Sequence, residues 1–509
     1  PLIYWTTAAA IRLLGRNEFA ARFQAALASA GEVAVVETLG EAMFGALAGM
    51  LGALALALSP IVFGFARFAT PDPALAFFMT AALASFYAAA NTPTFRTGRG
   101  RLWMVMAAAM LALGTLAKGP VALLLGGAIA VLWLIMEGRW RDALRMPWLE
   151  CAAVYAAIAI PWFVLAARRN PGFAQFFFVH EHLHRYLEDT EHGWGPWFFV
   201  PIVIGGAWPW LYFVAFGLGR QRESWEAATS EESPGARSFL LIWFAVIFIF
   251  FSIPRSKLGE YILPAMPPLA MLAGCGLVSL ASYREWRRSR IVGALALINA
   301  GVATGIAITF ASGIGGKLTH TLAADALAGA AALAIGSAIA YVIAGRYRIA
   351  WVGPLAFGVA VAMGFAMKAR EDAAPMFSYR GLARAIAPYT GQGCALASYH
   401  HIVQALPFYT GTREKLVGYR GELAPFGDTP GASGSFIVTD RQLQSLWGSP
   451  QCVVLVANRR DLPRLVGILA PPPAIIGCEG KKLGLYNRPA AGGIEMAREC
   501  GEKPDEKRY

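Results

Sequence analysis

Four short stretches carry the residues whose types and spacing could do chemistry. The longest is 168–197, RRNPGFAQFFFVHEHLHRYLEDTEHGWGPW, which holds four of the chain's 7 histidines. Its HEHLH run matches H-E-x-x-H. On a helix His180 and His184 would share a face and could hold zinc, with Glu181 as general base and Glu188 or His192 as a third ligand. The same residues also suit a solvated amphipathic helix with an i,i+4 pair between Glu181 and Arg185. A third reading is a wall that binds phosphate or sugar, with Arg185 making a two-pronged contact to an oxyanion. The second stretch, FARFATPDPALAFF, sets Asp72 between two prolines, five residues after Arg67. That aspartate either faces the positive end of a helix or stands as an acid at the mouth of a cavity beside arginine. The third, FSIPRSKLGEYILPAMPPLAML, places Arg255 and Lys257 just before an apolar run, with Tyr261 one helical turn beyond Lys257. These cations either snorkel to a membrane surface or neutralise a lipid phosphate. The fourth is Lys118 in LAKGP, which anchors a turn or joins the same set. Together, cations, one Asp and several aromatics suit a ligand with a greasy tail and a phosphate head.

The elements that must position them belong to a membrane protein. The chain is 57% hydrophobic and 15% charged, where soluble domains are ~45–50% and ~25%. Apolar runs near the ~20 residues a spanning helix needs cover 17–38, 43–63, 73–91, 103–117, 119–136, 148–166, 197–217, 238–253, 258–280, 290–311, 323–344 and 349–367. Glu32 and Glu37 weaken the first, and Lys118-Gly119-Pro120 predicts a turn between two short spans. Residues 1–15 suit an amphipathic helix in the interface. Arginine-bearing loops at 92–102, 137–147, 282–290 and 345–348 alternate so as to share one side, read as cytoplasmic. The other side then holds 64–72, Lys118, the 168–196 insert, Pro254–Lys257 and everything after 368. Arg67, Arg185, Arg255 and Lys257 run against the charge rule there, and binding an anionic ligand gives them a reason. The net charge of +12 follows from the loops and does not call for nucleic acid.

From about residue 370 the texture changes. Helical stretches such as YRGLARAIAPY alternate with strand-like runs such as CALASY, CVVLVAN and KLGLYN. The expected organisation is mainly α: a polytopic transmembrane bundle over 1–368, a small α/β domain over 369–489 and a charged, disordered tail over 490–509. Four of the six cysteines lie after 370, so one or two disulfides are expected if that part is extracytoplasmic.

Five segments carry a resemblance: PLIYWTTAAAIRLLG, ARFATPDPALAFF, LAKGP, HEHLHRY with HGWGPWFF, and SKLGEYILPAMPPLA. In this order they resemble bacterial GT-C glycosyltransferases, a group that includes protein O-mannosyltransferases and, more similar still, the lipid A aminoarabinose transferases. ALPFYTG, GELAPFG and LQSLWG resemble the periplasmic domain of the latter. The resemblance implies a bacterial inner-membrane enzyme with its C-terminal domain in the periplasm. It would take a sugar, 4-amino-4-deoxy-L-arabinose, from an undecaprenyl-phosphate carrier to a lipid A phosphate, which lowers surface charge and gives resistance to cationic peptides such as polymyxin. It further implies that Asp72 is the second acidic residue of the site and that Arg185 holds the carrier phosphate. Lys257 and Tyr261 would line the sugar and phosphate pocket, with Arg255, Arg67, Lys118 and His184 beside them.

Two departures bear on this. The family's first outer loop and a Glu-Lys-Pro preceding Pro-Leu-Ile-Tyr-Trp are absent ahead of Pro1, and with them the first acidic residue, a glutamate linked to a divalent metal ion and a phosphate-binding lysine. The expectation is an N-terminally truncated chain, lacking one further helix, that folds poorly and is inactive. No metal ligand is assigned within the chain itself. Gly259-Glu260 also replaces the Pro-Thr-like pair of the last motif. The competing readings are a related enzyme with another sugar or a protein hydroxyl acceptor, a membrane zinc protease using HEHLH, and a lipid flippase without chemistry.

Overall fold

The computed structural model describes residues 1–95, 98–178, 193–219, 233–311, 316–374, 378–419, 436–437, 439–489 and 500. His184, Arg185 and the whole HEHLH run lie outside these residues. Among the described residues eight helices are long and apolar enough to cross a bilayer: Glu18–Phe44, Asp72–Ala90, Gly98–Lys118, Trp148–Arg169, Gly259–Ala281, Glu285–Phe310, Leu322–Ala344 and Val352–Ala373. Pro196–Gly206 and Leu211–Leu218, bent by 96°, make a ninth if they form one span. This is a multi-pass membrane protein.

The differences from the apolar runs have local causes. The run 43–63 is two shorter helices, Ala46–Ala57 and Pro60–Phe65. Gly45 separates the first from Glu18–Phe44, and Ser59-Pro60 starts the second. The run 119–136 is a helix of 16 residues, Val121–Met136. The run 197–217 breaks where Pro209 interrupts the ladder. Glu32 does not break its helix because it is buried and accepts a hydrogen bond from Thr80 Oγ1 at 3.1 Å.

The chain divides into two compact units, Pro1–Asn299 with Leu333–Ala360, and Ala300–Ala332 with Val361–Tyr509. In the first, Met266–Ala281 is buried along its whole length against Ala46–Ala57 and Leu211–Leu218. Small residues let the backbones approach: a Cβ on Gly276 would lie 2.0 Å from the Phe213 carbonyl oxygen. In the second, six strands run in the order β3-β2-β1-β4-β6-β5: β1 Ala395–Tyr399, β2 Glu414–Val417, β3 Phe436–Ile437, β4 Val453–Asn458, β5 Ala474–Glu479 and β6 Lys482–Tyr486. Strands β1 to β4 are parallel, and β6 and β5 add antiparallel. Alternate residues face opposite layers, as strand geometry requires. Leu396, Val454 and Val456 pack with Leu382 and Ile386, whereas Ala397, Leu455 and Ala457 pack with Leu443, Trp447 and Leu465. Disulfides join Cys394 to Cys452 and Cys478 to Cys500. Cys500 is therefore buried and anchored rather than part of a free tail; the rest of 490–509 lies outside the described residues.

Candidate functional site

Among the described residues, Asp72, Lys118 and Tyr261 meet at one end of the first unit. Pro71 and Pro73 suit the start of Asp72–Ala90, where the first backbone N–H groups have no partner to lose. Asp72 sits in that first turn, at the positive end of the helix, and is only 3% exposed. Lys118 is the last residue of Gly98–Lys118, at the negative end of its own helix. Gly119 follows at φ 99°, a left-handed turn that a side chain would resist, and Pro120 leads into the next helix. Gly98–Lys118 packs back along Asp72–Ala90, so its last residue meets the first turn of that helix, and the Lys118 ammonium forms a hydrogen-bonded ion pair with Asp72. The same ammonium lies 4.1 Å from the centre of the Tyr261 ring.

Tyr261 is held by the Gly259–Ala265 turn, a 3-10 helix that packs on Asp72–Ala90, Pro60–Phe65, Ala236–Ser252 and Phe199–Gly206. Its ring leans on Phe251 at 5.5 Å between centroids. Glu260, from the same turn, lies within the electrostatic reach of both Asp72 and Lys118. The cluster is thus two carboxylates, one ammonium and a phenol ring.

Lys257 is placed differently. It is 2% exposed, and its ammonium donates to the carbonyls of Trp194, at 3.0 Å, and Pro254. Burial lowers its tendency to hold a proton below the usual lysine range. Gly193 and Ser256 form a bridge, and the Trp194 N–H donates to the Arg255 carbonyl at 3.1 Å. Lys257 therefore ties the end of the 168–196 insert to the chain entering the Gly259 turn. The Arg255 side chain is exposed. Arg67 folds back on its own helix, with its guanidinium 3.5 Å over the Phe63 ring and a 2.7 Å bond to the Phe63 carbonyl; burial lowers its pKa.

The sequence reading passed over three hydroxyls. Thr70 Oγ1, Ser252 Oγ and Ser256 Oγ are buried without hydrogen-bond partners, and all sit within a few residues of Asp72 or Lys257. Buried polar atoms are almost always satisfied, so orphans grouped here mark places for polar ligand atoms or water. Their signal in the sequence was only proximity to the charged residues. Among the described residues no group of three His, Cys, Asp or Glu side chains is arranged to hold a metal ion. The divalent ion implied by resemblance finds no ligand set among them.

The same unit holds an apolar cavity of about 490 Å³, lined by Leu83, Phe86, Leu111, Leu123 and Tyr155 and reaching Met146 and Trp148 towards the opposite end. The opposite end of the bundle is where Arg139 donates to the Ala90 carbonyl and Trp133 to the Gly235 carbonyl.

Residues 1–177 match the family model described as dolichyl-phosphate-mannose-protein mannosyltransferase. The crystal structure of ArnT from Cupriavidus metallidurans bound to undecaprenyl phosphate superposes with a TM-score of 0.84 at 26% identity, over 96% of this chain and 87% of that one. The chain has the GT-C fold of ArnT. Among ArnT-like sequences, the undecaprenyl phosphate-alpha-4-amino-4-deoxy-L-arabinose arabinosyl transferase of Edwardsiella ictaluri is 30% identical over 298 residues, 58% of this chain and 52% of its own length. The namesake from Erwinia tasmaniensis is 29% identical over 375 residues, 71% of this chain and 65% of its own length. The chain thus spans less than two thirds of these relatives. The comparisons give the zinc-protease reading no support.

Proposed function

We propose that this ArnT-like chain is a membrane glycosyltransferase. It moves a sugar, 4-amino-4-deoxy-L-arabinose, from undecaprenyl phosphate to a lipid A phosphate at the periplasmic face, with the α/β unit in the periplasm. The observation that carries the reading is the fold match to an ArnT bound to undecaprenyl phosphate, on a chain whose Asp72–Lys118–Tyr261 cluster lies at one end of its spanning helices. Two disulfides in the α/β unit support an oxidising compartment for it.

In this reading an oxygen of the acceptor phosphate attacks the anomeric carbon, and the bond from that carbon to the carrier phosphate breaks. The leaving group is undecaprenyl phosphate, and no proton need be removed from the acceptor. The protein's tasks are to hold two lipids in line and to neutralise charge on the departing phosphate. Lys118 is the described cation best placed for the second task, with Arg185 assigned to the carrier phosphate by resemblance. Asp72 fixes the Lys118 ammonium, and Asp72 with Glu260 offers negative charge to the sugar's amino group. The apolar cavity suits an alkyl tail.

A second reading, a protein hydroxyl as acceptor, is favoured by the mannosyltransferase family match and by the second carboxyl group, Glu260, which could take the hydroxyl proton. Mass spectrometry of lipid A and of secreted proteins, from cells with and without the gene, separates the two. Aminoarabinose on lipid A supports the first; hexose on protein with unmodified lipid A supports the second and overturns the first.

A further inference from the structure

In open α/β sheets, ligands settle outside the carboxyl ends of parallel strands, where the strand order reverses. In the α/β unit that point lies between β1 and β4, because the chain leaves β1 towards β2 and β3 and returns on the other side at β4. His400-His401 follow β1, Arg459-Arg460-Asp461 follow β4, and Lys482 of β6 pairs with Asn458 at the end of β4.

This edge is built rather than merely polar. His400 holds a left-handed φ of 56° although it carries a side chain. Its ring stacks on Tyr399 at 4.0 Å, and a Cβ on Gly418 would lie 2.6 Å from it. Backbone strain of this kind concentrates at functional sites. His401 Nδ1 lies 2.5 Å from the Tyr399 carbonyl oxygen. A carbonyl only accepts, so Nδ1 carries the proton, and Nε2 of the neutral ring presents a lone pair. Burial, with Lys482 adding to it, holds His401 below the ordinary histidine value, which keeps that ring neutral. Nε2 is buried without a partner, and so is Oδ2 of Asp461. The other oxygen of Asp461 reaches Arg460 only at 3.9 Å. Lys482, half-buried, feels the charges of both Arg460 and Asp461.

Two orphaned acceptors beside an ammonium suit a particular chemistry. A phosphate would face Asp461 with like charge. A hydroxyl does both jobs, donating to one group while accepting from another, and a sugar ring presents several at fixed spacing. We infer that the carboxyl edge of β1 and β4 is a saccharide site, in which His401 Nε2 and Asp461 Oδ2 accept from ring hydroxyls and Lys482 donates to one. The site stands on a different unit from the Asp72 cluster and does not depend on the transferase reading.

The test is saturation-transfer difference NMR on the whole chain in lipid nanodiscs, with D-glucose, glucose 1-phosphate and inorganic phosphate as probes. Saturation should reach the ring protons of both sugars, and binding should weaken at least tenfold in Asp461→Ala and in Lys482→Met. Lys482→Met keeps the stem of the side chain, so it serves if Asp461→Ala does not fold. No transfer to either sugar, or folded variants that bind like the parent, overturns the inference. So does competition by inorganic phosphate alone with no signal from glucose. The same titration in Asp72→Asn separates the two sites. Retained sugar binding with transfer abolished supports a separate site; sugar binding lost there assigns the signal to the membrane cluster and overturns it.

Discussion

The Asp72–Lys118 pair makes a prediction that can be worked from its burial. The Asp72 side chain is 4% exposed and that of Lys118 21%. Lys118→Met would leave the more deeply buried carboxylate without its cation, and breaking a buried pair this way costs about 3–5 kcal/mol. Asp72→Asn would leave an ammonium that still rests on the Tyr261 ring at 4.1 Å and is partly hydrated. Its cost should be near the about 1–3 kcal/mol of one unmet polar group. The double variant removes both charges and should be more stable than Lys118→Met alone. The coupling then exceeds the cost of Asp72→Asn alone, so the pair would show at least about 1 kcal/mol, in the range expected for groups in direct contact. The assay is reversible unfolding in mixed micelles, followed by tryptophan fluorescence, for the parent, the two single variants and the double variant. Sugar transfer, measured on the same four proteins, should be lost in all three variants. A coupling below about 0.5 kcal/mol, or a larger cost for Asp72→Asn than for Lys118→Met, would refute the burial argument.

Three further outcomes are expected. Lys257→Met should leave the Trp194 and Pro254 carbonyls unserved, cost about 1–3 kcal/mol, and raise hydrogen exchange in the 193–198 segment; unchanged exchange there would contradict the tie. Burial, and then Asp440, pushes the Tyr399 phenol up to about 12. Its folded-state value lies above the unfolded ~10, so its contribution is intact below pH ~10 and is lost as pH rises towards the folded value. Tyr399→Phe should abolish that alkaline loss in the β1 amides, and an identical alkaline profile would count against it. Opening Cys394–Cys452, which spans 58 residues, should destabilise the α/β unit by about 1 kcal/mol more than opening Cys478–Cys500, which spans 22, on loop entropy alone. Equal losses in Cys→Ser pairs would set that account aside.

The GT-C scaffold was legible because hydropathy, loop charge and an ordered set of motifs all pointed the same way. Helix breaks were less so: nothing in the 43–63 run weakened its apolar signal enough to announce a stop near Ser59-Pro60. Within the cluster, Asp72 stood out through its two prolines, but its partner did not. Lys118 lies 46 residues on, and only the packing of Gly98–Lys118 back along Asp72–Ala90 returns it to Asp72. Tyr261 was read as a neighbour of Lys257 on helical spacing, yet the Gly259–Ala265 turn is a 3-10 helix and gives Tyr261 to Lys118 instead. Lys257 read either as a snorkelling cation or as a phosphate ligand, and its two bonds to carbonyls depend on a loop contact that the sequence does not encode. Cysteine pairing and the switch point between β1 and β4 depend on strand order, which strand-like runs alone do not encode.

The account rests on a lipid phosphate seated at the Asp72–Lys118–Tyr261 cluster, and ³¹P NMR of undecaprenyl phosphate added to the chain in nanodiscs reads that contact directly. A saturable phosphorus shift, with affinity at least tenfold weaker in Lys118→Met and unchanged in Lys482→Met, is the predicted result. A phosphorus signal that ignores Lys118→Met would contradict the account.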